Sequence, residues 1–245
     1  MSTRVRILEV AAELLARSPN GDISTRAVCE AAGIGAPVLY RQFGDKEGLL
    51  SAVVDHGFDR YLETKRRREP STDPVEDLRE GWNGHVEFAL ANRNLYRLMN
   101  SPAMREPPAS ALESHRILTH DLERAAALGR LRMSPALAAQ MIMSANVGVS
   151  LMLVSRPATF TDAGMSVRVR DAVHASVLTD EAVTATRGTP AGAGTPAGAG
   201  TSAAAARLGA LLRQSPPAEL SPAESTLLTE WLDRLSDARR PGDVR

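Results

Sequence analysis

The segment that decides the fold is residues 23–50, ISTRAVCEAAGIGAPVLYRQFGDKEGLL. It predicts two short helices joined by a tight turn, followed by the start of a third. Ser24 is suited to cap the first helix, because its hydroxyl can accept a bond from a free N–H group of the first turn. Gly33 is suited to end that helix, because glycine adopts the left-handed conformation at little cost. Pro37 fits the first turn of the second helix, where its missing N–H is not needed.

Both short helices have few apolar positions. They are Ala27, Val28 and Ala31 in the first helix and Val38 and Leu39 in the second. Tyr40, Arg41 and Gln42 are then expected to face outward. Residues 44–45 end the second helix, and Lys46 opens the third. Two helices with a glycine turn and flanking cations form a helix-turn-helix, whose second helix can enter a DNA major groove.

The same segment resembles the DNA-binding domain of TetR-type transcriptional regulators. The resemblance covers roughly the first fifty residues and is specific, because several fixed spacings agree at once. After Ser24 these are Ala31-Ala32-Gly33-Ile34, Leu39-Tyr40-x-x-Phe43 and Lys46-Glu47-x-Leu49-Leu50.

The resemblance implies contacts from four side chains that flank the second helix or lie on it. Thr25 would bind a phosphate through its hydroxyl or its backbone N–H. Arg26 would reach a base edge, where an arginine bound to guanine contributes about 1–3 kcal/mol of discrimination. Tyr40 would donate a hydrogen bond to a phosphate, and Lys46 would bind a phosphate from the start of the next helix.

The second helix itself combines apolar and polar positions. Ala36, Pro37 and Val38 occupy positions that the family uses at the groove, and they can contact a thymine methyl but cannot distinguish donors from acceptors. Sequence recognition on this helix is therefore expected to depend on Arg41 and Gln42. Arg4 and Arg6 could in addition reach an adjacent minor groove.

The composition is that of an ordinary globular protein and does not by itself indicate nucleic-acid binding. The 245 residues are 43% hydrophobic and 24% charged, with a net charge of zero. Residues 1–68 hold eleven basic and nine acidic side chains, a net charge of +2. Affinity for DNA must therefore come from locally placed cations and from dimerisation.

Cysteine content and hydropathy favour the cytoplasm. Cys29 is the only cysteine, which excludes an intrachain disulfide, and we expect it to be a small buried residue. Glu9 and Glu13 interrupt the apolar pattern near the N-terminus, which is not typical of a signal peptide. We also expect no uncharged apolar run near the ~20 residues that span a bilayer, and hence no membrane partner.

Helical periodicity recurs along the chain, and no sustained alternating pattern indicates a strand, so an all-α fold is predicted. The expected helices cover residues 4–17, 46–68, 74–91, 95–99, 109–128, 135–154, 162–178, 203–212 and 222–235. The last of these should carry a capping box, with Ser221 as the cap and Glu224 three residues later.

With the resemblance, this pattern divides the chain into an N-terminal three-helix helix-turn-helix head and a larger helical ligand-binding and dimerisation domain. The expected parts are a DNA-binding domain at 1–46, a connecting helix at 47–68, an effector-binding and dimerisation domain at 69–180, a low-complexity linker at 181–202, a helical extension at 203–238 and a disordered tail at 239–245. The sequence TPAGAG occurs twice within the linker. The extension carries an apolar face with Trp231, which could dock on its own helical domain or on a partner subunit.

Aromatic and methionine side chains in the helical domain suit an adaptable apolar ligand site, although each could instead be ordinary core. The candidates are Trp82, His85, Phe88, Tyr96, Met99 and Met143. No metal site or cofactor is expected; His115 and His120 are five residues apart and would diverge on a helix. No nucleophile–base spacing, paired-carboxylate motif or phosphate-binding loop indicates an enzyme.

The sequence therefore predicts a cytoplasmic, homodimeric, ligand-responsive repressor that binds a palindromic double-stranded operator and is released by a small hydrophobic effector. The alternatives are a helical protein–protein adaptor that does not bind DNA, and an enzyme with its site in the helical half.

Overall fold

In a computed structural model of the chain, the residues described are 2–19, 21–67, 69–101, 104, 108–185 and 201–237. Within these ranges the structure has twelve α-helices and no strand apart from an isolated antiparallel bridge between Leu131 and Leu178. The predicted all-α class is confirmed. The helices are α1 (Thr3–Arg17), α2 (Thr25–Ala32), α3 (Ala36–Phe43), α4 (Lys46–Arg67), α5 (Pro74–Ala91), α6 (Arg93–Met99), α7 (Ala109–Ala127), α8 (Pro135–Ser155), α9 (Met165–Val177), α10 (Asp180–Ala185), α11 (Thr201–Gln214) and α12 (Pro222–Ser236).

The expected helix boundaries agree closely except between residues 160 and 202. α9 begins at Met165 rather than at 162, and α10 was not expected. Residues 181–185 of the predicted linker belong to α10, and residues 201–202 belong to α11. The rest of the predicted linker, 186–200, and the predicted tail, 239–245, lie outside the described residues.

The chain groups into two compact units. The first comprises the described residues within Met1–Glu69, Gly84–Ser114 and Gly148–Ala163. The second comprises those within Pro70–Asn83, His115–Val147 and Gly164–Arg245. The division of the chain at residues 46, 68 and 180 differs from this grouping, because parts of the expected effector domain pack with the head.

The core of the first unit joins α1 to α4 with part of α6. Leu98 on α6 is buried in the same apolar cluster as the head residues, and Leu95 and Met99 pack against it. The buried head members are Ile7, Leu8, Ala11, Leu15, Ile23, Val28, Ala32, Leu39, Leu49, Leu50, Val53 and Val54. The position of the helix-turn-helix is therefore fixed by α1, α4 and α6 together.

Two contacts hold α6 close to the head. Gly57 on α4 has no side chain, and a Cβ there would lie 2.5 Å from the Cδ2 atom of Leu95, so a larger residue would require the leucine side chain to move. Asn94 donates hydrogen bonds from its amide nitrogen to the carbonyl oxygens of Leu15, at 2.9 Å, and of Ser18, at 2.8 Å. Asn94 thereby satisfies carbonyls at the end of α1 that lack helical partners.

The second unit contains buried ion pairs at the start of α5. Asp77 is buried and accepts a hydrogen bond from Arg124 on α7 at 2.6 Å. Arg124 also donates to Asp121 at 3.3 Å, and these contacts with both aspartates raise the pKa of Arg124, with Asp77 the main cause. Removing one partner of such a buried pair is more damaging than replacing both.

α11 and α12 form a helical hairpin within the second unit. The side of α11 that faces inward is made of small buried residues, including Ala206, Gly209 and Ala210, so that α12 can approach closely. Arg213 on α11 donates to Asp233 on α12 at 3.1 Å. The predicted capping box of α12 is confirmed, because Ser221 and Glu224 each bond the other's backbone N–H.

α8 corrects one expectation from the sequence. Among the described residues it is the one helix whose length and composition would allow it to cross a membrane, and it has no charged residue over 21 positions. The expected absence of such a run was wrong, because Gln140, Ser144, Asn146 and Ser150 are polar but uncharged. Length and composition alone are weak evidence for a membrane span, since core helices of soluble proteins share them.

Candidate nucleic-acid interface

The turn between α2 and α3 has the geometry that its glycine predicts. Gly33 has a φ of +62°, and its N–H donates to the carbonyl oxygens of Cys29 and Glu30. The Ile34 N–H also donates to Cys29 at 3.0 Å. Ser24 occupies the cap position of α2, but the expected side-chain cap is wrong, because its hydroxyl accepts no hydrogen bond from the helix.

The helix-turn-helix is anchored by a small set of side chains. Val28, Ala32 and Leu39 are buried in the core of the first unit. Ala31 is exposed, so the predicted inward face of α2 was displaced by one residue, which is about 100° around a helix. Cys29 is half-buried against the same core rather than fully buried.

Most of the predicted DNA contacts lie on the exposed surface of this motif. Thr25 and Val38 are half-buried, while the others are exposed, namely Arg26, Ala36, Pro37, Tyr40, Arg41, Gln42 and Lys46. All nine belong to α2, α3 or the first residue of α4. Leu39 thus anchors α3 in the core, and the apolar and polar side chains of α3 that are predicted to contact DNA lie on its solvent-facing sides.

Two of the cations are paired with carboxylates in the free protein. Arg26 donates to Glu30, one turn further along α2, at 3.0 Å. Lys46 donates to Asp22 at 2.9 Å, and this hydrogen bond is the main reason that the pKa of Asp22 is lowered. Both pairs are exposed to solvent, so each is weak and can be exchanged for a phosphate.

Arg4 contacts the end of α3. Its guanidinium donates to the backbone carbonyl oxygen of Gln42 at 2.8 Å and lies 4.5 Å from the centre of the Phe43 ring. The sequence suggested that Arg4 could reach a minor groove, but in this structure it satisfies a C-terminal carbonyl of α3. No sequence signal identified this contact, because 38 residues separate the two partners.

Three of the predicted ligand residues lie in one buried aromatic cluster of the first unit. His85, Phe88 and Tyr96 are buried, and the rings of Phe58 and Tyr61 contact Phe88. The Nε2 atom of His85 and the hydroxyl of Tyr96 are 2.8 Å apart. Burial, with a smaller effect of Lys65, lowers the pKa of His85 to about 3, and burial raises the pKa of Tyr96.

The other three predicted ligand residues have different surroundings. Met99 is half-buried and packs against the core that holds the head. Trp82 and Met143 belong to the second unit, where Met143 is half-buried and Trp82 is buried. The indole N–H of Trp82 donates to Ser166 at 3.0 Å.

Around Trp82 the structure has buried polar groups that sequence reasoning missed. Asn146 donates to the Trp82 carbonyl oxygen at 3.3 Å, and the ring of His174 lies edge-on to the indole at 6.0 Å. Burial lowers the pKa of His174 to about 4, helped by the nearby Arg170 and Arg79. For Asn146, the available signal was its position within the apolar helix α8. In the part of the chain that is described, no group of three or more His, Cys, Asp or Glu residues could hold a metal ion.

The fold and the exposed second helix define a helix-turn-helix protein. Residues 7–53 match the family model described as bacterial regulatory proteins, tetR family. The N-terminal part of the chain is therefore similar to the TetR-type regulators.

Two relatives show how far the likeness in sequence extends. The HTH-type transcriptional regulator UidR of Escherichia coli K12 is 26% identical over 117 residues, which are 48% of this chain and 60% of UidR. The regulatory protein RaaS of Mycobacterium tuberculosis is 35% identical over 75 residues, which are 31% of this chain and 35% of RaaS. The chain therefore matches only about three fifths of the length of UidR.

Solved structures share the fold over a larger part of the chain. A putative tetR family regulator from Shewanella sp. PV-4 has a TM-score of 0.56 at 18% identity, covering 73% of this chain and all of its own. NalD of Pseudomonas aeruginosa, described as the secondary repressor of a multidrug efflux pump, has a TM-score of 0.56 at 19% identity, covering 73% of this chain and 96% of its own. About a quarter of this chain thus lies outside the fold that it shares with them.

Proposed function

We propose that the protein is a DNA-binding transcriptional regulator that acts as a repressor. The observation that carries this proposal is α3, which is anchored by the fully buried Leu39 and exposes Tyr40, Arg41 and Gln42. A short rigid helix with polar side chains on its outer face can enter a major groove of about 12 Å.

Affinity for the phosphate backbone would come from exposed cations beside α3. Lys46 would leave Asp22 and bind a phosphate, and Arg26 would leave Glu30 and reach a base edge. Because each existing pair is solvent-exposed, its loss costs little. Ala36, Pro37 and Val38 would contact the methyl groups of thymine.

The functional unit would be a homodimer that recognises a palindromic operator. α8 has a mean hydropathy of 1.7 over its most apolar window, yet only 39% of that window is buried within the chain. A second copy packed on α8 would cover this surface, and α9 contributes the exposed Val167. Two heads related by a two-fold axis bind half-sites about 34–36 Å apart.

A small apolar effector would release the operator by favouring a conformation in which the two heads are wrongly spaced. The predicted ligand residues His85, Phe88 and Tyr96 lie in an aromatic cluster that also includes Phe58 of α4, the helix that continues from the head. FadR of Bacillus subtilis, which has this fold, was solved in complex with stearoyl-CoA. We propose for this chain an effector with an apolar part comparable to the acyl chain of that ligand.

The alternative of an adaptor without DNA binding is not favoured by the relatives, which are transcriptional regulators. The family is regulatory rather than enzymatic, which agrees with the expected absence of catalysis. We place the protein in the cytoplasm, with α8 as a dimer contact rather than a membrane span.

The test is retention of DNA from upstream of the gene, measured by mobility shift at two salt concentrations. A regulator should retain one fragment over others, and added salt should weaken that retention steeply. If no fragment is retained at low salt, the adaptor becomes the better interpretation. If a fragment is retained, shifts in the melting temperature of the protein across a panel of apolar compounds would identify the effector class.

The assignment of individual roles has its own test on the retained fragment. Arg26→Ala should weaken binding by about 1–3 kcal/mol and relax the preference at one base position. Tyr40→Phe, the matched control for a phosphate contact, should weaken binding to all sequences alike. An Arg26→Ala protein with unchanged base preference would show that Arg26 does not contact a base.

A further inference from the structure

A row of exposed apolar side chains runs along α12. Leu227, Trp231 and Leu235 are spaced four residues apart, and their exposed fractions are 44%, 51% and 48%. Residues at this spacing form one ridge on one face of a helix. We call these three residues the Trp231 stripe. A contiguous apolar patch with a half-exposed tryptophan is typical of an interaction surface.

The hairpin contacts its own chain through other residues of α12. Leu232 and Ser236 are buried, and they lie about 100° and 140° around the helix from Trp231. Leu232 faces α11, where a Cβ on Gly209 would lie 3.6 Å from it. Asp237, just after α12, accepts a hydrogen bond from the Ser134 N–H at 3.2 Å. Among the described residues, docking within the chain therefore leaves the Trp231 stripe about half-exposed.

We propose that the Trp231 stripe binds the Trp231 stripe of a second copy, with the two α12 helices antiparallel. The stripe is symmetric about its centre, since leucine lies four residues before and four residues after Trp231. A two-fold axis beside Trp231 would bring Leu227 against the partner subunit's Leu235, and Trp231 against the partner subunit's Trp231. Such an interface is isologous, and it stays within one dimer where its two-fold axis coincides with that of the α8 contact.

The charged edge of the stripe supports the antiparallel arrangement. Glu230 and Arg234 are exposed and lie on the same edge, about 100° and 60° from Trp231 on the side away from Leu232. The antiparallel two-fold arrangement keeps these edges together and brings Glu230 within about 3 Å, measured along the helix axis, of the partner subunit's Arg234. A parallel arrangement would put the two charged edges on opposite sides. Opposite charges that meet in this way select one pairing over the other.

This contact goes beyond the proposed repressor function, because it lies on the C-terminal hairpin rather than on α8 or the head. It assigns a role to an extension that follows the linker predicted from the sequence. It also answers the choice that the sequence left open, since the hairpin docks on its own chain with one face and on a second copy with another.

Site-specific disulfide formation tests the geometry in the full chain. Cys29 is replaced by alanine, and single cysteines are introduced as Trp231→Cys, Leu227→Cys and Leu235→Cys. Facing helices packed 8–10 Å apart bring opposed Cα atoms within roughly 4–5 Å, which a disulfide can span. Residues 227 of two antiparallel copies would instead be about 12 Å apart along the axis.

Trp231→Cys should therefore cross-link to itself under mild oxidation, while Leu227→Cys and Leu235→Cys alone should not. An equal mixture of those two variants should cross-link, and this mixture retains Trp231. Leu128→Cys, at a position that is 55% exposed on the same unit, is the control for random collision. Circular dichroism verifies that each variant is folded.

The proposal is overturned if the folded mixture fails to cross-link, or if Leu128→Cys cross-links as fast as Trp231→Cys. Self-cross-linking of Leu227→Cys at the same rate would also overturn it, because it would indicate a parallel pair. The cysteine-free parent is assayed for DNA retention in parallel. A failed cross-link with intact DNA binding contradicts this inference alone, whereas lost DNA binding contradicts the proposed function.

Discussion

At the scale of single residues, Lys46 pairs with Asp22 in the free protein and would bind a phosphate in the proposed DNA complex. Lys46 is the side chain expected to bind a phosphate, and Asp22 holds it at 2.9 Å. The aspartate would remain near that phosphate in the complex and would repel it. The two residues should therefore have opposite effects on DNA affinity.

Lys46→Ala should weaken binding to all sequences and reduce the slope of log K against log salt by about 1. Asp22→Asn should strengthen binding two- to fivefold at low salt, roughly the Coulomb energy of one charge at about 6 Å in water. The Ile23 N–H donates a hydrogen bond to the Asp22 side chain at 2.8 Å. The side-chain oxygen of asparagine can still accept this bond. Fluorescence anisotropy over a salt series measures both effects, and an Asp22→Asn protein with weaker binding would contradict the proposed position of the phosphate.

His85 predicts a pH dependence of stability. Its pKa is lowered to about 3 by burial, helped by Lys65, whereas an unfolded histidine titrates near 6.5. The unfolded state therefore binds more protons than the folded state between these values, and stability should fall as pH falls below 6.5. One such histidine contributes a slope of up to about 1.4 kcal/mol per pH unit.

Urea unfolding at pH 7.5, 6.0 and 5.0 measures this slope. His85→Gln should flatten it, and His85→Gln combined with His174→Gln should flatten it further, since the pKa of His174 is also lowered. The comparison is made within each variant across pH, so a uniform loss of stability does not affect it. A slope that is unchanged in the double variant would show that neither imidazole is buried in its neutral form.

At the scale of elements, the turn between α2 and α3 depends on the backbone of Gly33. Its φ of +62° is in the left-handed region, and no atom lies within 4 Å of the position that a Cβ would take. Space is therefore available for a side chain, but the conformation is unfavourable for one. Gly33→Ala should cost about 1 kcal/mol through the backbone alone.

The matched control is Gly33→Asn, because asparagine tolerates the left-handed conformation better than alanine does. Its free energy of unfolding should lie between those of the parent and of Gly33→Ala. DNA affinity, measured where each variant is fully folded, should change little, since α3 keeps its position. If alanine and asparagine cost the same, the conformation of the turn is not the cause.

α6 belongs to the effector domain expected from the sequence, but in the structure it packs against the core of the head. Asn94 bonds the carbonyl oxygens at the end of α1, and Leu98 is buried in the head core. The sequence suggested α4 alone as the connection between head and effector domain. α6 provides a second connection through hydrogen bonds to residues more than 70 positions earlier in the chain.

At the scale of the whole molecule, the proposed dimer depends on α8. Gly148 on this helix is exposed, and nothing lies within 4 Å of where its Cβ would be. Glycine at an exposed position of an apolar helix permits close approach by a helix of a second copy. In a Trp231→Ala background, which removes the contact proposed for α12, Gly148→Leu should therefore shift the protein from dimer toward monomer, as measured by sedimentation velocity.

The control is Ala91→Leu, which adds a leucine at another exposed helical position, at the end of α5. It should leave the sedimentation coefficient unchanged. DNA binding should fall with dimerisation in Gly148→Leu, because one head contacts only a half-site. In that background, a Gly148→Leu protein that remains dimeric would place the dimer contact elsewhere on the chain.

The sequence by itself determined the all-α class, the helix-turn-helix and most helix boundaries, because these depend on contacts between near neighbours. The turn at Gly33, the proline in the first turn of α3 and the capping box at Ser221 are all local features. The register of α2 and the start of α9 were missed, since a shift of one to three residues changes which face is buried without changing the helical pattern.

Only the tertiary structure decided which distant groups meet. The bond from Arg4 to Gln42, the packing of Leu95 against Gly57 and the partial exposure of the Trp231 stripe depend on packing over many residues. Apolar periodicity shows that a helix has a face to bury, but the choice of the surface that covers it is made by the folded chain and its partners.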